Sequence, residues 1–340
     1  MLIAITCRDI SFADNYAILI SAGKATSDNV LINSEHWYDL FLAYEYLLLE
    51  EQYDSSHVFV FYGDGIDYDT GNNRYKKELH NWGQITDYDN SFFTLNSVIP
   101  SLNNVITDDD NLLFYWVAGH GSKYSNSDDS YYVEITNFQE VITKNQLVAL
   151  INSITHYNRR KIIWMTCYSG AMGGGTINVK NNRTTLVTSS TSSEASYSFS
   201  YSSEPHTDFG YALYSLSTGR FPNGTTCNLN QYCPATAIED SLLSLNELHF
   251  GISEFIVQNT SHNQNPCIYD VGGISNKIFI GENKELKDVF IDSNSSYWLD
   301  NMDLSNVLFD SDVDVSIDVD VKSKIKKNTF VPMGTTLIIK

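Results

Sequence analysis

Two side chains in this sequence could serve as a nucleophile and its base. Cys167 offers a thiol, and His120 offers an imidazole, a side chain able to take and give a proton. A thiol is a poor nucleophile until it loses its proton. An imidazole within reach can take that proton and later deliver it to a leaving amine. The oxyanion that develops meanwhile needs N–H donors already fixed in place. Gly121 follows the His without a side chain, so its N–H could point into such a site. The N–H of Cys167 could supply the second donor. The competing reading is structural, with Cys167 an inert buried thiol and His120 a hydrogen-bonded core residue.

The elements around these residues must bring them together. Asn111 to Ala118 is an apolar run that leads into Gly119-His120-Gly121-Ser122. Lys161 to Thr166 is another, leading into Cys167-Tyr168-Ser169-Gly170. Short apolar runs bounded by turn residues read as buried strands. Parallel α/β sheets gather their chemistry at the C-terminal ends of such strands. Gly119 and Gly170 allow tight turns at both ends. Further strands are predicted at Tyr16–Ile20, His57–Tyr62 and Thr184–Thr188. Helical spacing runs through 35–50, 92–102, 145–154, 209–216 and 245–257. Strands alternating with helices predict right-handed crossovers and a mostly parallel sheet covered on both faces, an α/β three-layer αβα sandwich. Near residue 283 the composition shifts. Val313, Val315, Ile317, Val319 and Val321 alternate with Asp or Ser, the period of a half-exposed strand. Pro332-Met333-Gly334 reads as a turn. We expect a domain over 1–283 and a small β-rich C-terminal appendage over 284–340.

Composition bounds the partners. The chain has 340 residues, 42% of them apolar, enough for a full core. Lys and Arg total 21 against 41 Asp and Glu, a net charge of −20. Nucleic acids and anionic membranes need basic patches, so neither is expected as a partner. No stretch approaches the length of a membrane span. Met1 to Thr6 is apolar but too short for a signal sequence. Either the protein is cytoplasmic or a leader has been removed, and abundant Tyr, Asn and Ser with sparse Lys lean towards an exported protein. The five cysteines, Cys7, Cys167, Cys227, Cys233 and Cys267, fit one free thiol with up to two disulfides, or five reduced thiols. Cys227 and Cys233 could close a small ring. No metal site is expected: there is no CxxC, and Asp64, Asp67 and Asp69 lack the terminal Glu of a calcium loop. No cofactor is expected.

With these motifs assembled, the chain resembles the caspase-fold cysteine peptidases, most of all the legumain branch and its bacterial relatives. The resemblance runs over residues 15–280. It rests on His120-Gly121-Ser122, on Cys167-Tyr168-Ser169-Gly170, and on Leu186 to Ser190 leading to Glu194-Ala195-Ser196-Tyr197. Phe209-Gly210-Tyr211-Ala212-Leu213, Leu245-Asn246-Glu247-Leu248 and Gln264-Asn265-Pro266 extend it. The resemblance implies a caspase-like fold and an endopeptidase acting on a peptide or protein substrate through an acyl-enzyme. His120 would be the base, Cys167 the nucleophile, and Gly121 with Cys167 the oxyanion donors. Met165, Tyr168, Ser190, Glu194, Ala195, Ser196 and Tyr197 would adjoin the substrate. The chain departs from the family in two places. Ser21 to Trp37 holds no Arg, and Met165 stands two residues before the Cys where relatives often carry an acid or amide. A floor of Met suggests a neutral or apolar P1 side chain rather than a basic one. The loop Gly170–Gly175 could close on substrate or be cut during activation. A transpeptidase or ligase on the same fold, and an inactive surface binding protein, are the alternative functions.

Overall fold

The structure is a computed structural model. It describes residues 14–275 apart from 24–29, 136–138, 202–203 and 234–242. Beyond 275 it describes the backbone of short strands between 285 and 339. Five parallel strands form the centre: β1 (Asn15–Ser21), β2 (Val58–Tyr62), β3 (Asn111–Ala118), β7 (Arg159–Trp164) and β8 (Thr184–Thr188). Their spatial order is β2, β1, β3, β7, β8, and β11 (Cys267–Asp270) pairs antiparallel at the β8 edge. Continuous apolar runs suit strands that are buried on both faces.

Alternate residues of each strand feed two cores. Ala17, Leu19, Leu113, Tyr115 and Ile163 face one side, with α1 (Val30–Leu49), α4 (Asp208–Thr218) and α5 (Leu245–Asn259). Ile18, Ile20, Phe114, Trp116, Ile162 and Trp164 face the other, against α2 (Phe92–Ser101) and α3 (Lys144–Asn152). Trp116 and Trp164 stack across β3 and β7 at 4.9 Å. The result is the three-layer, mostly parallel sandwich that the alternation of elements predicts.

Local sequence sets the helix boundaries. Thr143 and Gln146 form a capping box at the start of α3, and Ser244 and Glu247 form another at α5. Ser91 and Thr207 cap α2 and α4 through their hydroxyls. Two small antiparallel units were not foreseen. One is the sheet of β4 (His120–Lys123), β5 (Tyr131–Ile135) and β6 (Glu140–Thr143). The other is the hairpin of β9 (Ser198–Tyr201) and β10 (Glu204–Thr207), which directly follows Tyr197.

Cys227 and Cys233 are free thiols buried in the core beside α5 rather than a closed ring. Cys7 lies outside the described residues. Asp67 and Asp69 are spent on protein groups. Asp67 accepts from the N–H groups of Ile85 and Thr86, and Asp69 pairs with Lys76. Among the described residues, no group of three or more His, Cys, Asp or Glu could hold a metal ion. No described helix is long and apolar enough to cross a membrane. Past residue 284 the described strands pair in parallel: Glu285–Lys287 with Asp303–Ser305, and Asp314–Ile317 with Thr336–Ile339. The turn at Pro332-Met333-Gly334 lies outside the described residues.

Candidate active site

Strands β3 and β7 are neighbours and run in phase, with Tyr115 opposite Ile163 and Trp116 opposite Trp164. Both chains leave the sheet a few residues later at the same edge. Adjacent strands lie only about 5 Å apart, so residues just past these ends are brought close together. Beyond Ala118 the chain turns at Gly119, whose φ of +156° and lack of a Cβ let it pass Ala22 and the Trp116 indole. His120 then opens β4, with its ring exposed to solvent.

Gly121 lies against the backbone of Cys167. A Cβ there would strike the Cys167 carbonyl oxygen and come within 2.8 Å of Thr166 Oγ1. Gly is therefore needed for this close approach. The Thr166 carbonyl gathers three hydroxyls, from Ser189 (3.2 Å), Ser190 (3.3 Å) and Ser196 (2.8 Å). They hold the loop after β8 against the end of β7.

Cys167 is half-buried, and its thiol donates to the Ser196 carbonyl at 3.5 Å. Burial raises its pKa above the ordinary thiol value. Hydrogen bonding to the backbone at Ser196 and at Cys167 itself opposes that rise, as does a further bond to Gly121. The nearby charge of Glu35 adds to it. The net shift is upward, so the resting group is the thiol and needs a base. Among the described residues, the His120 ring makes no hydrogen bond. Its nearest ring is that of His36, at 6.2 Å between centroids. His36 is buried, and burial with the His120 charge lowers its pKa to about 3.

The remaining predicted residues have varied surroundings. Tyr168 takes a left-handed φ of +58° and is half-buried. The Lys123 ammonium lies 5.9 Å from its ring. Ser190 is fully buried, bonded to Ser169, and presents no surface to a ligand. Glu194 accepts from the Asn265 side chain at 2.8 Å, and its carbonyl accepts from the Tyr168 N–H. Ala195 is partly exposed. Ser196 holds both the thiol and the Thr166 carbonyl. Tyr197 is exposed and stacks on His262 at 4.5 Å. Met165 is 2% exposed in the core, its sulfur accepting from the Tyr115 hydroxyl at 3.4 Å. It cannot floor a pocket in this arrangement, because Tyr115 and Thr207 cover it.

Two neighbours of the site were missed from sequence. Glu35 accepts from the Ser198 hydroxyl at 2.6 Å, two residues beyond the carbonyl that holds the thiol. His36 follows it. Both lie inside the helical span of α1, where sequence offers no sign that one turn faces a strand end.

No protein-family model matches this chain, and no curated protein matches it. Solved structures do. Protein GSU0716 from Geobacter sulfurreducens shares 10% identity at a TM-score of 0.43, over 75% of this chain and 92% of that one. Caspase-1 from Spodoptera frugiperda shares 12% identity at a TM-score of 0.42, over 78% of this chain and 92% of that one. The α/β fold is defined by this chain's own sheet order and does not depend on either.

Proposed function

We propose that this protein is a cysteine endopeptidase with Cys167 as nucleophile and His120 as general base and acid. The observation that carries the reading is the in-phase β3–β7 pair, with an exposed imidazole just past the end of one strand and a half-buried thiol just past the end of the other. In the first step the Cys167 thiol gives its proton to His120, and the sulfur adds to the scissile carbonyl carbon. The carbonyl oxygen takes the negative charge and is met by the N–H groups of Gly121 and Cys167. The C–N bond then breaks, and His120 returns the proton to the departing amine. Water, deprotonated by His120, attacks the thioester carbonyl. The acid product leaves, and the thiol is restored. A base not yet hydrogen-bonded to its nucleophile fits such a site before substrate arrives. The neutral P1 preference drawn from Met165 is not carried forward, because that side chain lies in the core.

The test is alkylation at pH 7 together with cleavage of a P1-diverse peptide library. Iodoacetamide is expected to label Cys167 selectively, and His120→Ala is expected to slow both labelling and cleavage at least tenfold. Cys167→Ala is expected to cleave nothing. If His120→Ala changes neither rate, the pair is not catalytic and a binding role becomes the better reading. Product masses with an added amine separate hydrolysis from ligation.

A further inference from the structure

Among the carboxylates on the elements that border the thiol, Asp39 and Asp208 already have imidazole partners. Asp39 holds His206 Nδ1 at 2.8 Å and the Thr207 hydroxyl at 2.6 Å. Asp208 holds His262 Nδ1 at 2.6 Å and the Tyr201 hydroxyl at 3.0 Å. Glu35 differs. Among the described residues, its one hydrogen bond comes from Ser198, and no Lys, Arg or His pairs with it. A partly buried carboxylate without a cation costs stability, so one kept beside a reactive group is a candidate for recognition. It stands on α1 immediately before His36, whose ring faces His120. It bonds β9 two residues past the carbonyl that receives the Cys167 thiol. Its charge also reaches Cys167 and opposes thiolate formation.

We infer that Glu35 is the specificity-determining residue of this site and that it pairs with a cationic side chain, Lys or Arg, of the substrate residue whose carbonyl Cys167 attacks. The inference rests on the peptidase reading above. It adds a coupling that the reading does not contain. Empty, Glu35 holds back ionisation of Cys167. When the substrate cation pairs with it, that opposition is neutralised as the scissile bond arrives. Selection then acts on the chemical step as well as on binding. The groups facing Glu35 are Ser198 on β9, Asp39 on its own helix, His206 on β10, Asp208 on α4 and Cys167. Burial, the first cause, with Asp39 and Asp208, outweighs Ser198 and His206 and lifts its pKa to about 7. Pairing with a cation therefore strengthens as pH rises through neutrality.

The test uses the full chain, its Glu35→Gln variant and two peptidyl acyloxymethyl ketones that differ only in P1, lysine against norleucine. Inactivation rates are read at pH 7 and 8, with iodoacetamide as a probe of the free thiol. Wild type is expected to react with the lysine ketone at least tenfold faster than with the norleucine one, with the ratio larger at pH 8. Glu35→Gln is expected to lose that preference. Its norleucine rate and its iodoacetamide alkylation are both expected to rise severalfold above wild type, which shows that the site is folded and that the thiol is no longer opposed. A wild type that prefers norleucine, or a variant that keeps the lysine preference, overturns the inference and leaves the peptidase reading standing. If neither ketone outpaces iodoacetamide in wild type, and His120→Ala changes nothing, both fall together.

Discussion

Just past the end of β3 the His120 ring meets the His36 ring of α1 edge-on, with centroids 6.2 Å apart, and only one of them is wet. The exposed ring, His120, is open to solvent. The buried ring, His36, is held neutral by desolvation and by the neighbouring His120 charge. Its Nδ1 atom has no hydrogen-bond partner among the described residues. Neutrality at His36 also spares the site a second positive charge that would oppose protonation of His120. A stability consequence follows from the sign of the shift. The folded pKa of about 3 lies below the ordinary value of 6.5, so the unfolded chain binds a proton there first. Stability is then lost as pH falls through that window. By pH 5 the cost from this residue is about 2 kcal/mol. Urea unfolding at pH 7 and pH 5 is expected to show His36→Gln losing about 2 kcal/mol less than wild type on acidification. Equal losses would mean that the buried ring is already protonated. The proposed pair stands out in sequence because each member follows an apolar run. Glu35 does not, since its contact with Ser198 spans 163 residues and its own neighbours read as ordinary helix.

Among the elements, the hairpin β9–β10 is what the site borrows from outside the parallel sheet. It is fastened to α1 by a buried set of polar groups. His206 bonds Asp39 on one side and the Tyr75 hydroxyl at 3.0 Å on the other. Glu204 accepts from Tyr75 and from Asn72 at 2.7 Å. Burial alone would lower the His206 pKa, but the hydrogen bonds and charges of Asp39 and Glu204 raise it above its ordinary value. Removing one partner of such a pair leaves a buried group uncompensated, at a cost of about 3–5 kcal/mol. Asp39→Asn is expected to lower the free energy of unfolding by roughly 3 kcal/mol. It should also loosen Ser198 from Glu35, read as faster amide exchange over 198–207. A change below about 0.5 kcal/mol would show that Glu204 and Tyr75 hold the hairpin unaided. A second fastening controls the glycine loop after Cys167. Asp129 accepts from the Thr176 and Ile177 N–H groups at 3.1 Å, and the Lys144 ammonium donates to the Gly174 carbonyl at 2.8 Å. The loop is thus tied to α3 and to the turn before β5. The contrast with what sequence could show is physical. The parallel strands announced themselves as apolar runs because both their faces are covered. Strands β4, β5, β6, β9 and β10 are short and half-exposed, and rich in Ser, Tyr and charged residues, so their pattern is that of a loop until pairing is known.

Across the whole molecule, charge and core tell separate stories. The net charge of −20 sets a field that repels polyanions and draws cations, in keeping with a cationic substrate group at Glu35. The cores divide along the sheet, and every buried member of both lies between Tyr16 and Ile274 among the described residues. The β11 strand closes the β8 edge with Cys267 opposite Thr188 and Asp270 opposite Thr185. Its antiparallel run completes the sheet before residue 275. Among the described residues, the sandwich's strands, both helical layers and the proposed pair, Cys167 and His120, all lie before residue 275. We propose that the sandwich and residues 284–340 are separable, with the boundary near 283. Brief proteolysis of the full chain is expected to yield a resistant fragment that ends between 275 and 285. Its thermal midpoint should lie within a few degrees of the uncut chain, since no described buried side chain of either core is removed. Cys167 in that fragment should keep its alkylation rate. First cuts inside the sheet, or a fragment that melts far below the whole chain, would mean that the C-terminal strands supply part of the fold's stability.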